Sequence, residues 1–295
     1  MMNKASFFFG RPFATKIVLT WLCLFPVLAL QGQIPVGQWR SHLSWNHIQD
    51  VTGNGERIFA AGESGVLIYH RQYNNTEVLD KMTGLSDVPV SVVAFSPRGD
   101  LFVGYDNGNL DVWVDGEINN YPGLLKQTLY RKKKIHDITF AENRAYLACS
   151  FGVAVFDTEK NIFLESFRPD VAGEIEVYAV AGDGQYLYAA TEQGLYYASS
   201  GSPDLYNPAV WQRVVSFPDH TSKVKSLDIL QGNLIFTVVN PGGDDRVYHM
   251  EGLSQPALLV EAGVRALETG PDHLYVCTGE DVRVFNAALQ PVQIL

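Results

Sequence analysis

Cysteine is scarce in this chain: three in 295 residues. Cys23 falls in the apolar leader discussed below, so only Cys149 and Cys277 could pair in a processed chain. They sit in different repeats, which excludes a disulfide framework and leaves two buried, separate thiols as the expectation. Catalytic signatures are missing too. No HExxH, CxxC or GxSxG occurs, and no glycine-rich phosphate loop opens a helix. Positive charge is in deficit, 22 Lys and Arg against 32 Asp and Glu, net −10. That balance argues against a nucleic-acid partner. From Ile34 onward apolar residues do not recur at helical spacing, which makes an α/β fold unlikely, and no run there is long enough to span a membrane.

What the chain does have is a repeat. Residues 185–197, QYLYAATEQGLYY, read as strand, tight turn, strand, with Gly194 supplying the positive φ of the turn. Variants occur at 57–69, 100–113, 144–156, 233–248 and 273–285. The fifth has a longer loop, and the sixth lacks the turn glycine. A short apolar run precedes each copy, at 48–51, 92–95, 135–140, 177–180, 224–229 and 264–267. Outer strands are expected at 76–81, 117–121, 162–167, 211–216, 257–260 and 291–295. The period, roughly 40–47 residues, is that of a four-stranded propeller blade. The expected fold is therefore all-β: a β-propeller of four-stranded antiparallel blades, six repeats being visible. The hairpin strands are apolar without strict alternation, as strands covered on both sides should be; a sandwich would alternate more cleanly.

Residues 1–33 read as a secretory signal peptide rather than fold. Lys4, Arg11 and Lys16 precede an apolar stretch, 17–30, followed by the small or polar Ala29, Gln31 and Gly32. A retained anchor is the rival reading. The propeller domain is then 34–295. Gln38-Trp39-Arg40 resembles Trp211-Gln212-Arg213, so 39–42 reads as an outer strand with no blade of its own. It asks for a seventh blade beyond Leu295 and hence a chain truncated at its C-terminus. The alternative is that 291–295 is disordered and 39–42 closes a six-bladed ring.

Candidate chemistry is sparse. His70 and His249 share a repeat position, which favours a structural role over paired ligation. Asp111, Asp115, Glu117 and Asn119 lack the glycine and final glutamate of a calcium loop; Asp115-Gly116 is expected to form a hairpin turn. Asp244 and Asp245 occupy an enlarged loop that could hold a cation. Asp50, Asp137 and Asp228 lie in innermost strands, either facing the channel or, the favoured reading, bonding at strand ends. Trp45, Trp113, Tyr105 and Tyr121 could stack on sugars but are expected to pack between blades. The one basic run is RKKK at 131–134: a solvated loop, or a contact for an anionic glycolipid or an acidic protein face. No catalytic, cofactor or metal residue is assigned.

The hairpin, best seen in Glu192-Gln193-Gly194-Leu195-Tyr196-Tyr197, resembles the repeats of two-component-regulator-type propellers. The stretches IPVGQWRSHL at 34–43 and KMTGLSD at 81–87 are similar to the amino-terminal propeller of the PorZ family, components of the type IX secretion system of Bacteroidota. The resemblance implies a non-enzymatic scaffold exported to the cell surface and associated with the outer membrane. Implied partners are the sortase PorU, PorV and PorQ, with anionic lipopolysaccharide attached to secreted cargo. It also implies a second propeller and a sorting domain not contained in this sequence. The rival functions are the periplasmic ligand-sensing half of a hybrid two-component regulator and a propeller enzyme, such as a lyase or metal-dependent lactonase, which would need His and carboxylates converging at the axis.

Overall fold

A computed structural model describes residues 44–170 and 173–295, and every one of the six repeats folds into a four-stranded antiparallel sheet. Blade one comprises β1 (Ile48–Gly53), β2 (Arg57–Gly62), β3 (Gly65–His70) and β4 (Asn75–Leu79). Blade two comprises β5 (Val90–Phe95), β6 (Leu101–Tyr105), β7 (Leu110–Val114) and β8 (Glu117–Asn120). A one-turn helix, α1 (Gly123–Lys126), leads to blade three: β9 (Ile135–Ala141), β10 (Arg144–Cys149), β11 (Gly152–Asp157) and β12 (Ile162–Phe167). Blade four has β13 (Val177–Gly182), β14 (Tyr186–Thr191), β15 (Gly194–Ser199) and a two-residue β16 (Gln212–Arg213). Blade five has β17 (Val224–Leu230), β18 (Asn233–Val238), β19 (Asp245–Glu251) and β20 (Ala257–Ala262). Blade six has β21 (Val264–Thr269), β22 (His273–Thr278), β23 (Val282–Asn286) and β24 (Pro291–Ile294). Consecutive first strands lie side by side, β1 to β5, β9, β13, β17 and β21, so the sheets form a six-bladed propeller around them.

The core is divided between neighbouring blades. Phe59 and Ile68 of blade one meet Val93 and Tyr105 of blade two. Phe102 and Leu110 meet Leu147 and Phe156 of blade three. Tyr146 and Phe167 then meet Leu187 and Trp211 of blade four, and Tyr188 and Leu195 meet Phe236 and Tyr248 of blade five. Ile235 and Val247 meet Leu274 and Phe285 of blade six. Five interfaces thus have an apolar core; among the described residues none bridges blades six and one. Strand burial follows from this. β6, β10, β14 and β18 are buried at nearly every position, whereas β22 alternates exposed and buried along its first four residues. Ile48, Val51 and Ile58 on blade one, and Tyr275 on blade six, remain exposed.

The hairpin glycine has a second reason beyond its positive φ. Gly65, Gly152 and Gly194 have φ of 147°, 141° and 123°, and a Cβ there would lie 2.3–2.5 Å from the carbonyl oxygens of Leu79, Phe167 and His220. The turn thus packs directly on the chain that leaves its own outer strand. At the other end of blade two, Asp115 (φ 50°) and Gly116 (φ 90°) form the expected tight turn.

Two expectations need correction. The outer strand expected at 211–216 is only Gln212–Arg213: Trp211 turns inward to stack on Phe167 at 5.2 Å and donates its indole N–H to Leu205 O. Residues 291–294 are a paired fourth strand, so the alternative in which 291–295 is disordered fails. Residues 1–33 and 39–42 lie outside the described residues. Among the described residues no helix is long and apolar enough to cross a membrane. Cys149 is buried, Cys277 only half-buried, and both are free.

Phe156 is fully buried, with Phe102, Tyr121 and Phe163 edge-on at 5.1–5.9 Å. Phe156→Ala should cost about 3–5 kcal/mol in chemical denaturation. Ile58→Ala, on the coreless side of blade one, should cost less than about 1 kcal/mol. In the same assay Gly194→Ala should cost about 1–3 kcal/mol through backbone strain, plus the displacement of His220.

Candidate binding face at the channel mouth

Every blade interrupts its first strand in the same place. The pairing skips one residue between the first and third positions of β1, β5, β9, β13, β17 and β21. The skipped residues are Gln49, Ser91, His136, Tyr178, Lys225 and Arg265. A bulge at one repeated position re-aims six side chains around the axis, a device found beside functional sites. His136, Tyr178 and Lys225 line a cavity of about 270 Å³ together with Asp137, Asp228 and Glu268. Basic, aromatic and acidic side chains thus share one cavity along the first strands.

The mouth is tied together across blades three to five. His136 Nε2 is 3.0 Å from Glu176 Oε1 and 3.1 Å from Ser150 Oγ. Tyr178 donates its hydroxyl to Glu176 Oε2 at 2.9 Å. Burial outweighs the carboxylate and holds the His136 pKa below its usual value, so this contact is not a full ion pair at neutral pH. Burial also works against ionised Glu176, but the Tyr178 hydroxyl and His136 hold its carboxyl low. Lys223 places its ammonium 3.7 Å from the Tyr178 ring centroid, and burial lowers its pKa. Lys225 bonds Asp245 Oδ2 at 2.6 Å and Val264 O at 2.5 Å.

The basic run flanks this mouth, because it leads straight into β9. Its four members divide. Lys133 donates to Leu125 O and Gln127 O, capping α1, and Lys134 pairs with Asp106 at 3.1 Å. Arg131 and Lys132 are exposed. All four line an open cavity of about 560 Å³ that also contains Glu176 and Ser150. The run is therefore half structural and half available to an anion.

Asp50, Asp137 and Asp228 are hydrogen-bonded, but between blades rather than at strand ends. Each accepts a backbone N–H from the first strand of the following blade. Asp50 Oδ2 accepts from Val93 N at 2.9 Å and Asp137 Oδ2 from Val180 N at 3.2 Å. Asp228 Oδ2 accepts from Thr269 N at 3.0 Å and from its hydroxyl at 2.6 Å. These are latches between blades one and two, three and four, five and six. Burial raises the Asp50 and Asp228 pKa values. Burial and the charges of Asp50 and Asp228 push Asp137 up to about 7. Burial and the charges of Asp228, Asp50 and Asp137 push Glu268 up to about 7.

The remaining candidates are structural. Asp111 is fully buried inside β7, not at the hairpin tip, and accepts from Tyr105 Oη at 2.6 Å, Ser86 N at 2.8 Å and Asn120 Nδ2 at 2.8 Å. The KMTGLSD stretch packs around it: Leu85 is in the core, and Asp87 accepts from Asn107 and Val88 N. Trp113 and Tyr121 pack edge-on against Phe59 and Phe156. Trp45 lies against Gly62. His70 contacts Glu77 in blade one, while His249 stands in blade five. No three His, Cys, Asp or Glu converge for a metal among the described residues. The bulge residues were missed in the sequence, yet the signal is there: I-Q-D, V-S-V, I-H-D, V-Y-A, V-K-S and V-R-A open the six inner strands.

The family description of the type IX secretion system PorZ N-terminal β-propeller domain matches residues 58–212. No curated protein matches the chain. Among solved structures, PorZ of Porphyromonas gingivalis, described as an essential bacterial surface component of the type IX secretion system, aligns over 87% of this chain with TM-score 0.74 and 24% identity. This chain spans 34% of that protein. One chain of the mitotic checkpoint complex aligns over 84% of this chain and 80% of its own, at 14% identity and TM-score 0.63. The computationally designed Ika8 protein aligns over 81% and 71%, at 14% identity and TM-score 0.55. These structural likenesses are likenesses of fold.

The carboxylates make stability depend on pH with a definite sign. Asp137 and Glu268 bind protons more tightly folded than unfolded, where a carboxyl titrates at about 4. Their stabilising contribution is whole below about pH 4 and is lost as pH rises through about 7. The unfolding midpoint should therefore fall across that window, and Asp137→Asn, which keeps an acceptor for Val180 N, should flatten the slope.

Proposed function

Because the chain belongs to the family of PorZ N-terminal β-propeller domains of the type IX secretion system, we propose that it is a non-enzymatic scaffold exported to the bacterial surface. There it works beside a PorU-like sortase and PorV- and PorQ-like proteins, and presents anionic lipopolysaccharide for attachment to secreted cargo. The observation that carries the reading is the family match across blades one to four, which includes β9, β13 and their bulged mouth residues.

The geometry supports an anionic ligand at that mouth. Arg131 and Lys132 stand exposed above a cavity shared with Lys134. Lys223 is held over Tyr178, with Glu176 and Glu192 acting on it only through their charge among the described residues. The face gathers cations in a chain whose net charge is −10, so an anion would be drawn there rather than to the rest of the surface. A rigid ring also suits presentation, since no ordering cost is incurred when a partner binds a preformed surface.

The test is a deletion of the gene, complemented with the full-length protein or with Arg131→Glu/Lys132→Glu, followed by surface fractionation. The deletion should leave cargo without its lipopolysaccharide modification. The charge-reversed protein, still surface-exposed, should restore modification only in part. Full modification of cargo in the deletion strain would overturn the proposal.

A further inference from the structure

Tyr146 and Tyr188 hold the same place in neighbouring blades, third in β10 and β14, and each packs toward the next blade. The Tyr188 hydroxyl donates to Asp183 Oδ2 at 2.8 Å and lies 3.2 Å from Gly252 O of blade five. The strand registers put Ala141 and Ser200 in the places of Asp183 and Gly252 around Tyr146. Ala141 has no carboxylate, and Ser200 turns its hydroxyl to the Gly184 and Gln185 carbonyls. Tyr146 is only 8% exposed, yet its hydroxyl makes no hydrogen bond among the described residues. It opens on a cavity of about 460 Å³ between the turns of blades three and four, lined also by Glu142, Arg144, Gly184 and Gly201. Arg144 and Glu142 are exposed, and neither has a hydrogen bond or ion pair among the described residues. Asp157, opposite Arg144 in the ladder, pairs with Lys160 instead. A Cβ at Gly184 or Gly201 would meet nothing within 4 Å, so this wall is bare backbone beside open space. The cavity lies at the far end of β10 from Ser150 and shares no residue with the basic mouth.

We propose that this pocket binds a small organic carboxylate, held by Arg144 and the Tyr146 hydroxyl, whose neighbouring hydroxyl or ammonium group donates to Glu142. A guanidinium only donates, and its fork fits the two oxygens of a carboxylate. The Tyr146 hydroxyl has a proton to give and no protein acceptor, and a buried polar group left unbonded is costly. A carboxylate satisfies both donors at once. An anion without a donor of its own would meet the charge of Glu142; a ligand that also carries a hydroxyl or ammonium turns that charge into a bond. The volume falls within the range of small-molecule pockets, roughly 300–1,000 Å³.

The experiment is an amide-resonance titration by nuclear magnetic resonance on the isotope-labelled full chain, with D-glycerate, L-serine and glycerol as probes at millimolar concentrations. Glycerate and serine differ in the group beside the carboxylate, hydroxyl against ammonium; glycerol lacks the carboxylate. One or both acids should shift the Gly184 and Gly201 amides, and glycerol should not. Glycerate alone assigns a hydroxy acid, serine alone an amino acid, and both together a pocket that reads carboxylate and donor without distinguishing them. Arg144→Ala should weaken binding about tenfold or more. Tyr146→Phe should weaken it several-fold while leaving the unfolding midpoint unchanged, because the hydroxyl has no protein partner to lose. Arg131→Glu/Lys132→Glu, in the basic mouth, should bind as the unsubstituted chain does. Absence of shifts with both acids, equal shifts with glycerol, or unaltered affinity in Arg144→Ala or Tyr146→Phe would overturn the proposal.

Discussion

A four-stranded sheet of this composition has two apolar faces, and neither can be hidden by the sheet itself. Burial of both faces against neighbouring sheets is the interaction on which the rest of the structure depends. It explains why β6, β10, β14 and β18 read as almost unbroken apolar runs, and why the bulky aromatics Phe59, Phe102, Phe156, Tyr188 and Phe236 sit between blades rather than within one. It also sets the hairpin chemistry. In blades one, three and four the turn glycine allows the chain leaving the outer strand to press against the turn.

Polar chemistry is added to this apolar frame at the axis. Each odd-numbered blade extends one carboxylate to the backbone of the next blade, giving directional bonds where side-chain burial alone would not fix register. The cost is the burial of carboxylates, which raises the pKa values of Asp50, Asp137, Asp228 and Glu268; neighbouring carboxylates add to it at Asp137 and Glu268. Above this layer the bulges present His136, Tyr178, Lys225 and Arg265. The same strands thus supply bonds between blades at one position and re-aimed side chains at another.

Much of this was legible in the sequence. Repeat period, inner strands and outer strands follow from apolar runs and turn residues, because strand burial and turn geometry are local demands on side-chain type. The resemblance carried by KMTGLSD pointed to the right family; within that stretch Leu85 is buried and Ser86 donates its N–H to Asp111, while residues 81–84 are exposed. Asp111 flanks a hairpin as expected, but one aspartate in that position gives no local sign that Tyr105, Ser86 and Asn120 will converge on it from 6, 25 and 9 residues away. The short β16 was missed for a similar reason: Trp211 is captured by Phe167 of the preceding blade, a contact no strand propensity encodes. The coreless seam was half visible, since HLYVCT at the sixth hairpin alternates where YLYAAT at the fourth does not.

Family membership places the chain among the PorZ N-terminal β-propeller domains of the type IX secretion system. The physical account beneath it is that interfaces, not individual blades, hold the fold. Strand-resolved hydrogen–deuterium exchange tests this most directly. The account predicts slowest exchange in β6, β10, β14 and β18, and faster exchange in β2 and β22, whose outer faces lack a neighbouring core. Equal protection in all six second strands, or β22 as slow as β10, would contradict it.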